Sequence, residues 1–211
     1  MITEYRLNMI KRSIVNEKEL FNNDFEIKEL TKKVCENINC YAYSLGIMEP
    51  APSRTNLYIP GFTTFENVDY LSKENFILKV SEDLHNLKIE FREYGIDDEI
   101  IVNDSEYLIQ VLFISKDTKN FRKGNFHFSR KNKNGKWFSK MGWLDQPCFE
   151  EVEILAMVDN SELVKVTSKY CSNQYLRIRL FCCKRKNKLI IDKHLFIMYN
   201  IHYNRCFVIY K

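Results

Sequence analysis

At Gly95 the spacing of apolar residues changes from helical to alternating. From Ser72 to about Tyr94, the residues Phe76, Val80, Leu84, Leu87 and Phe91 form the stripe of an amphipathic helix, closed by Gly95. Beyond it the period is two. Ile100-Ile101-Val102 reads as a short strand, and Tyr107 to Ile114 as a buried one. Phe126 to Arg130 and Lys136 to Met141 form a hairpin around Asn134-Gly135. Glu151 to Val158, Leu163 to Val166, Tyr175 to Cys182, Lys188 to Ile191, Leu195 to Ile201 and Arg205 to Tyr210 all read as strands. Helices followed by an antiparallel sheet make the expected class α+β.

Upstream, residues 1 to 23 are polar, with Leu7, Ile10, Ile14 and Leu20 at loosely helical spacing. A helix is expected from Asp24, a plausible N-cap, with Ile27, Leu30, Val34 and Ile38 on one stripe. The short apolar segment Cys40 to Leu45 is stopped by Gly46, and Pro50 and Pro52 prevent its extension. Residues 50 to 70 read as a loop with a Pro60-Gly61 turn. At 211 residues the chain fits one large domain. Residues 1–149 would form a helix-plus-sheet core, and residues 150–211 a β-rich extension continuous with it.

Composition narrows the function classes. A hydrophobic share of 45% with 15 Phe and 12 Tyr supports a packed core, and six Gly and four Pro exclude a disordered or collagen-like chain. The net charge of +4 is small and interspersed, which argues against a nucleic-acid partner. Lys184 to Lys188 is a basic stretch, but without stacking aromatics it reads as a solvated hairpin tip. No run of roughly 18 apolar residues is present, so no membrane span is expected. The N-terminus has no apolar signal core, so the expected location is the cytoplasm, or delivery by a route without a Sec-type signal peptide. Seven irregularly spaced cysteines read as reduced thiols, and the lack of Cys-x-x-Cys argues against a structural metal site.

The chemistry centres on Cys40 and His127. Asn39 is a good N-cap, placing Cys40 in the first helical turn, where unpaired N–H groups and the helix dipole favour a thiolate. The Cys40 backbone N–H could also help bind an oxyanion. Taken alone, such a cysteine is more often a buried structural residue. His127 lies between Phe126 and Phe128 on a strand, so its ring points away from both phenylalanines. Alone it reads as a partly exposed strand histidine. His85 reads as a helix-boundary residue, and His194 and His202 have no comparable context. A two-residue Asn134-Gly135 loop would put Phe138 and Lys140 on the His127 face. A three-residue loop with Gly135 left-handed puts Trp137, Ser139 and Met141 there instead. Only the second lets Ser139 approach the imidazole.

At these residues the chain resembles a family of small bacterial papain-like proteins. Its members carry Asn-Cys-Tyr-Ala-Tyr-Ala-Leu, a downstream Pro-Gly, then Asp-Tyr-His-Trp-Tyr-Arg and Gly-Tyr-Trp-Ser-His-Lys-Pro-Gly. Here these are Asn39 to Leu45, Pro60-Gly61, Asn125 to Arg130 and Gly135 to Gly142. The order also resembles the NlpC-type cell-wall peptidases. The resemblance spans about residues 35 to 145 and implies a papain-like (NlpC-type) core, with N-terminal helices packed on an antiparallel sheet and further C-terminal strands. It implies Cys40 as nucleophile and His127 as base, without cofactor or metal. At the third position the family histidine is replaced by Ser139-Lys140, making Ser139 the candidate orienter and Asp145 a substitute. The expected function is that of a cysteine hydrolase, a peptidase or amidase, cleaving an amide bond of a peptide or protein through a thioester. The alternative is a catalytically degenerate relative that binds a protein partner.

Overall fold

The computed structural model describes residues 3–14, 36–51, 58–64, 72–114, 125–131, 135–141, 147–169 and 172–184. The expected helix from Asp24, the strands beyond Lys184, the basic stretch after Lys184, Asp145, His194 and His202 lie outside the described residues.

Among the described residues, three short helices precede the strands: α1 (Glu4–Ser13), α2 (Cys40–Leu45) and α3 (Lys73–Asn86). Each has a side-chain cap, from Thr3, Asn39 and Ser72 respectively. Gly46, at φ +74°, ends α2 in the left-handed conformation that favours glycine. The strands are β1 (Phe91–Tyr94), β2 (Glu106–Ile114), β3 (Asn125–Lys131), β4 (Trp137–Ser139), β5 (Cys148–Val158), β6 (Ser161–Ser168) and β7 (Ser172–Lys184). All pair antiparallel, in the order β1-β7-β2-β3-β4-β5-β6.

The sheet closes on itself because β7 pairs with β2 along one edge and with β6 along the other. Residues 172–177 pair with β6, residues 180–183 pair with β1, and the opposite edge pairs with β2. Strands β2 to β7 therefore form a six-stranded barrel, with β1 as one extra strand. Register shifts leave Ile178 and Leu155 as extra residues in β7 and β5, which bends those strands.

This architecture corrects the expected α+β papain-like core with helices packed on an open sheet. The described chain is mostly antiparallel sheet, and the C-terminal strands close a barrel rather than extend a core. Alternation tells which residues share a face but not which edges meet, so the sequence carried no sign of closure. Two local expectations also change. The helix expected to Tyr94 stops at Asn86, where Lys88 turns left-handed (φ 59°) and Ile89 N–H bonds the Leu84 carbonyl. Phe91 instead lies in β1, paired with Cys183. Ile100 to Val102 is an exposed connection, not a strand.

The barrel wall has two apolar sides. Outside, Ile109, Val111, Phe113, Phe128 and Phe181 pack with Ile10, Tyr41, Leu45, Phe76, Val80 and Leu84 from the helices. Inside, Leu112, Val164, Val166 and Tyr175 form a smaller cluster. Phe76 stacks on Phe128 at 6.0 Å, and Tyr41 lies 4.5 Å from the same ring.

Asp83, fully buried on α3, ties the helical layer together. It accepts from Tyr41 Oη (2.9 Å), Gly61 N (2.7 Å), Thr63 N (3.0 Å) and Thr63 Oγ1 (2.5 Å). Burial pushes its carboxyl up to about 6, against the four hydrogen bonds that favour the ionised form. Asp83→Ala strands four buried donors, and we expect it to lower unfolding free energy by about 3 kcal/mol. Urea unfolding checks this: the midpoint should fall at constant slope. A loss under about 1 kcal/mol would show that the carboxylate does not hold the turn.

Candidate functional site

Asn39 and Cys40 open α2 as their residue types dictate. The Asn39 side chain accepts from Ala42 N at 3.0 Å, and its amide donates to the Tyr58 carbonyl at 2.6 Å. Cys40 is the first helical residue and is buried at 7% exposure. The helix packs across β3 and β4.

His127 sits mid-strand on β3, opposite Leu112. Phe126 and Phe128 meet the helix layer, so His127 points to the barrel interior, where it stacks on Tyr175 at 5.7 Å. Cys40 lies close enough to raise the proton affinity of its ring. The structure therefore joins the two residues that the sequence placed far apart.

The β3–β4 hairpin adopts the register of the three-residue loop. Arg130 pairs with Phe138 and Lys131 with Trp137, and Gly135 is left-handed at φ 77°. Ser139 therefore shares the His127 face, and its hydroxyl donates to a carboxylate that also meets the ring. Glu150 lies between them. Trp137 pairs with Glu150 across β4–β5, which brings the Glu150 carboxylate to the same inner face. Its Oε1 meets His127 Nε2 at 2.6 Å. Ser139 Oγ donates to Oε1, and Ser129 Oγ donates to Oε2.

Glu150 is the residue that sequence reasoning missed, and Ser129 follows from it. Glu150 precedes the stretch read as a strand from Glu151. Its register depends on the connection between β4 and β5, whose path no turn motif declares. The one available signal was parity, since Glu150 shares strand phase with Val152 and Ile154.

The whole group is shielded from water: Glu150 is 1% exposed and His127 5%, while Ser129 and Ser139 are fully buried. Burial disfavours the charged ring, but the nearby Cys40 and the Glu150 carboxylate outweigh it, and the His127 pKa is pushed up to about 10. The site thus holds a proton on an imidazole between a sulfur and a carboxylate. Among the described residues, no group of three His, Cys, Asp or Glu side chains is arranged to hold a metal. No described helix is long and apolar enough to cross a membrane.

A ring whose pKa rises on folding contributes stability that is fully present below the unfolded value and lost as pH rises through the folded one. The window here runs from about 6.5 to about 10. The urea midpoint should therefore decline as the buffer is raised across that window. Glu150→Gln should flatten the decline, because the charged ring loses its partner. A midpoint unchanged across the window in the parent chain would contradict the buried charge pair.

No protein-family model, no curated protein and no solved structure matches this chain.

Proposed function

We propose that the chain is a cysteine hydrolase that cleaves an amide bond in a peptide or protein through a thioester. Cys40 is the nucleophile, His127 carries the proton, and Glu150 holds the ring. The observation that supports it best is the buried imidazole held by a carboxylate at 2.6 Å, with Cys40 among the groups that raise its proton affinity. A positively charged ring beside a cysteine at a helix start is the environment in which sulfur acts as a nucleophile.

In the first half-reaction the Cys40 sulfur attacks the carbonyl carbon. His127 gives its proton to the leaving nitrogen as the C–N bond breaks. In the second, water adds to the thioester carbonyl, its proton passes to His127, and the sulfur leaves, releasing the acid. Glu150 stabilises the imidazolium at each stage and keeps Nε2 protonated. The substrate could present the amide in a protein backbone, a cell-wall peptide or a glutamine side chain. Such a thiol needs a reducing compartment, which favours the cytoplasm. The motifs around Cys40 and His127 that resemble a bacterial cysteine peptidase family add support.

One observation favours a second reading, a degenerate protein that binds a partner: Cys40 and His127 are both nearly closed to solvent. Alkylation separates the two. Iodoacetamide should modify Cys40 on the order of ten-fold faster than the half-buried Cys148, despite deeper burial. His127→Ala should remove that advantage. If Cys40 reacts no faster than Cys148, the hydrolase reading fails and the binding reading stands.

A further inference from the structure

Three donors converge on one buried carboxylate. The two serines that supply two of them lie on neighbouring strands with no exposure of their own. Ionised, Glu150 can only accept hydrogen bonds. Ser129 on β3 fills Oε2, and Ser139 on β4 shares Oε1 with the His127 ring. The two hydroxyls and ring nitrogen Nε2 thus occupy both carboxylate oxygens.

We propose that Ser129 and Ser139 are positioning residues of the site. They hold the Glu150 carboxylate in place, and through it they set the orientation and protonation of His127. This rests on the hydrolase reading for its consequence but not for its geometry. The titratable groups facing the ring are Cys40 from α2, Glu150 from β5 and Tyr175 from β7.

The logic makes a specific demand on epistasis. Serines that act only through Glu150 lose their influence once Glu150 is gone. Ser129→Ala and Ser139→Ala should each slow Cys40 alkylation by roughly three- to ten-fold, a range set by the loss of one charge-assisted hydrogen bond. The double variant should approach the rate of Glu150→Ala. In the Glu150→Ala background, the same serine substitutions should change the rate by less than about two-fold. Ser139→Thr, which retains the hydroxyl, should restore most of the rate.

Nitrogen NMR of the His127 ring supplies a readout that needs no reaction. In the parent chain both nitrogens should carry protons at neutral pH, and the serine variants should titrate at lower pH. If the serine substitutions leave both the ring spectrum and the alkylation rate unchanged, the inference is overturned. It is equally overturned if they slow alkylation as much without Glu150 as with it. Should His127→Ala leave alkylation of the parent chain unaffected, the hydrolase reading falls. The ring spectrum alone then decides the role of the serines.

Discussion

The pairing of β7 with a strand on each of its edges fixes the rest of the molecule. Because β7 holds β2 on one edge while residues 172–177 hold β6 on the other, the sheet cannot lie open, and its inner face becomes an enclosed space. Closure turns a row of residues on β3, β4 and β5 inward, away from water. Without it, His127, Ser129, Ser139 and Glu150 would line one side of a solvated sheet, where water would compete for each of their hydrogen bonds. The outer face remains free to receive α2 and α3 through Phe126, Phe128 and Phe113. One wall thus serves an apolar core on one side and a polar cluster on the other.

Burying charge is costly, and an ion pair inside a protein rarely adds net stability over a well-packed apolar substitute. Asp83 and Glu150 are buried all the same, and both are surrounded by donors. Asp83 takes four hydrogen bonds from an adjacent helix and a turn, a purely organising use. Glu150 takes three, of which one comes from a titratable ring. The first arrangement joins pieces of backbone, while the second holds a proton at a chosen place. Tyr41 links them, since it donates to Asp83 and directly follows Cys40 in the chain.

Much of this was legible in local sequence. The Asn39 cap, the Gly46 stop, the Ser72 start and the inward phase of His127 each follow from short-range rules that tertiary structure did not override. Strands β2, β3, β5, β6 and β7 were visible as alternation. What escaped is long-range. Alternation gives each strand two faces but says nothing of which edges pair, so the barrel stayed hidden. The stripe through Phe91 matched a helix, and only the pull of β7 on residues 91–94 ended it early. Glu150 stayed hidden for the same reason, because its place in the cluster is set by a register across β4 and β5.

Asn39 carries a chemical liability alongside its structural role. Its oxygen caps α2 while its nitrogen tethers the chain at Tyr58, so both ends of one amide are in use. Aspartate could cap the helix, yet it offers no donor to that carbonyl. Hydrolysis of this single amide during ageing would leave the cap intact and set a carboxylate against the Tyr58 oxygen. The helix that presents Cys40 would keep its start and lose its anchor. Folding shields the group from that fate, and a chain that opens here exposes it.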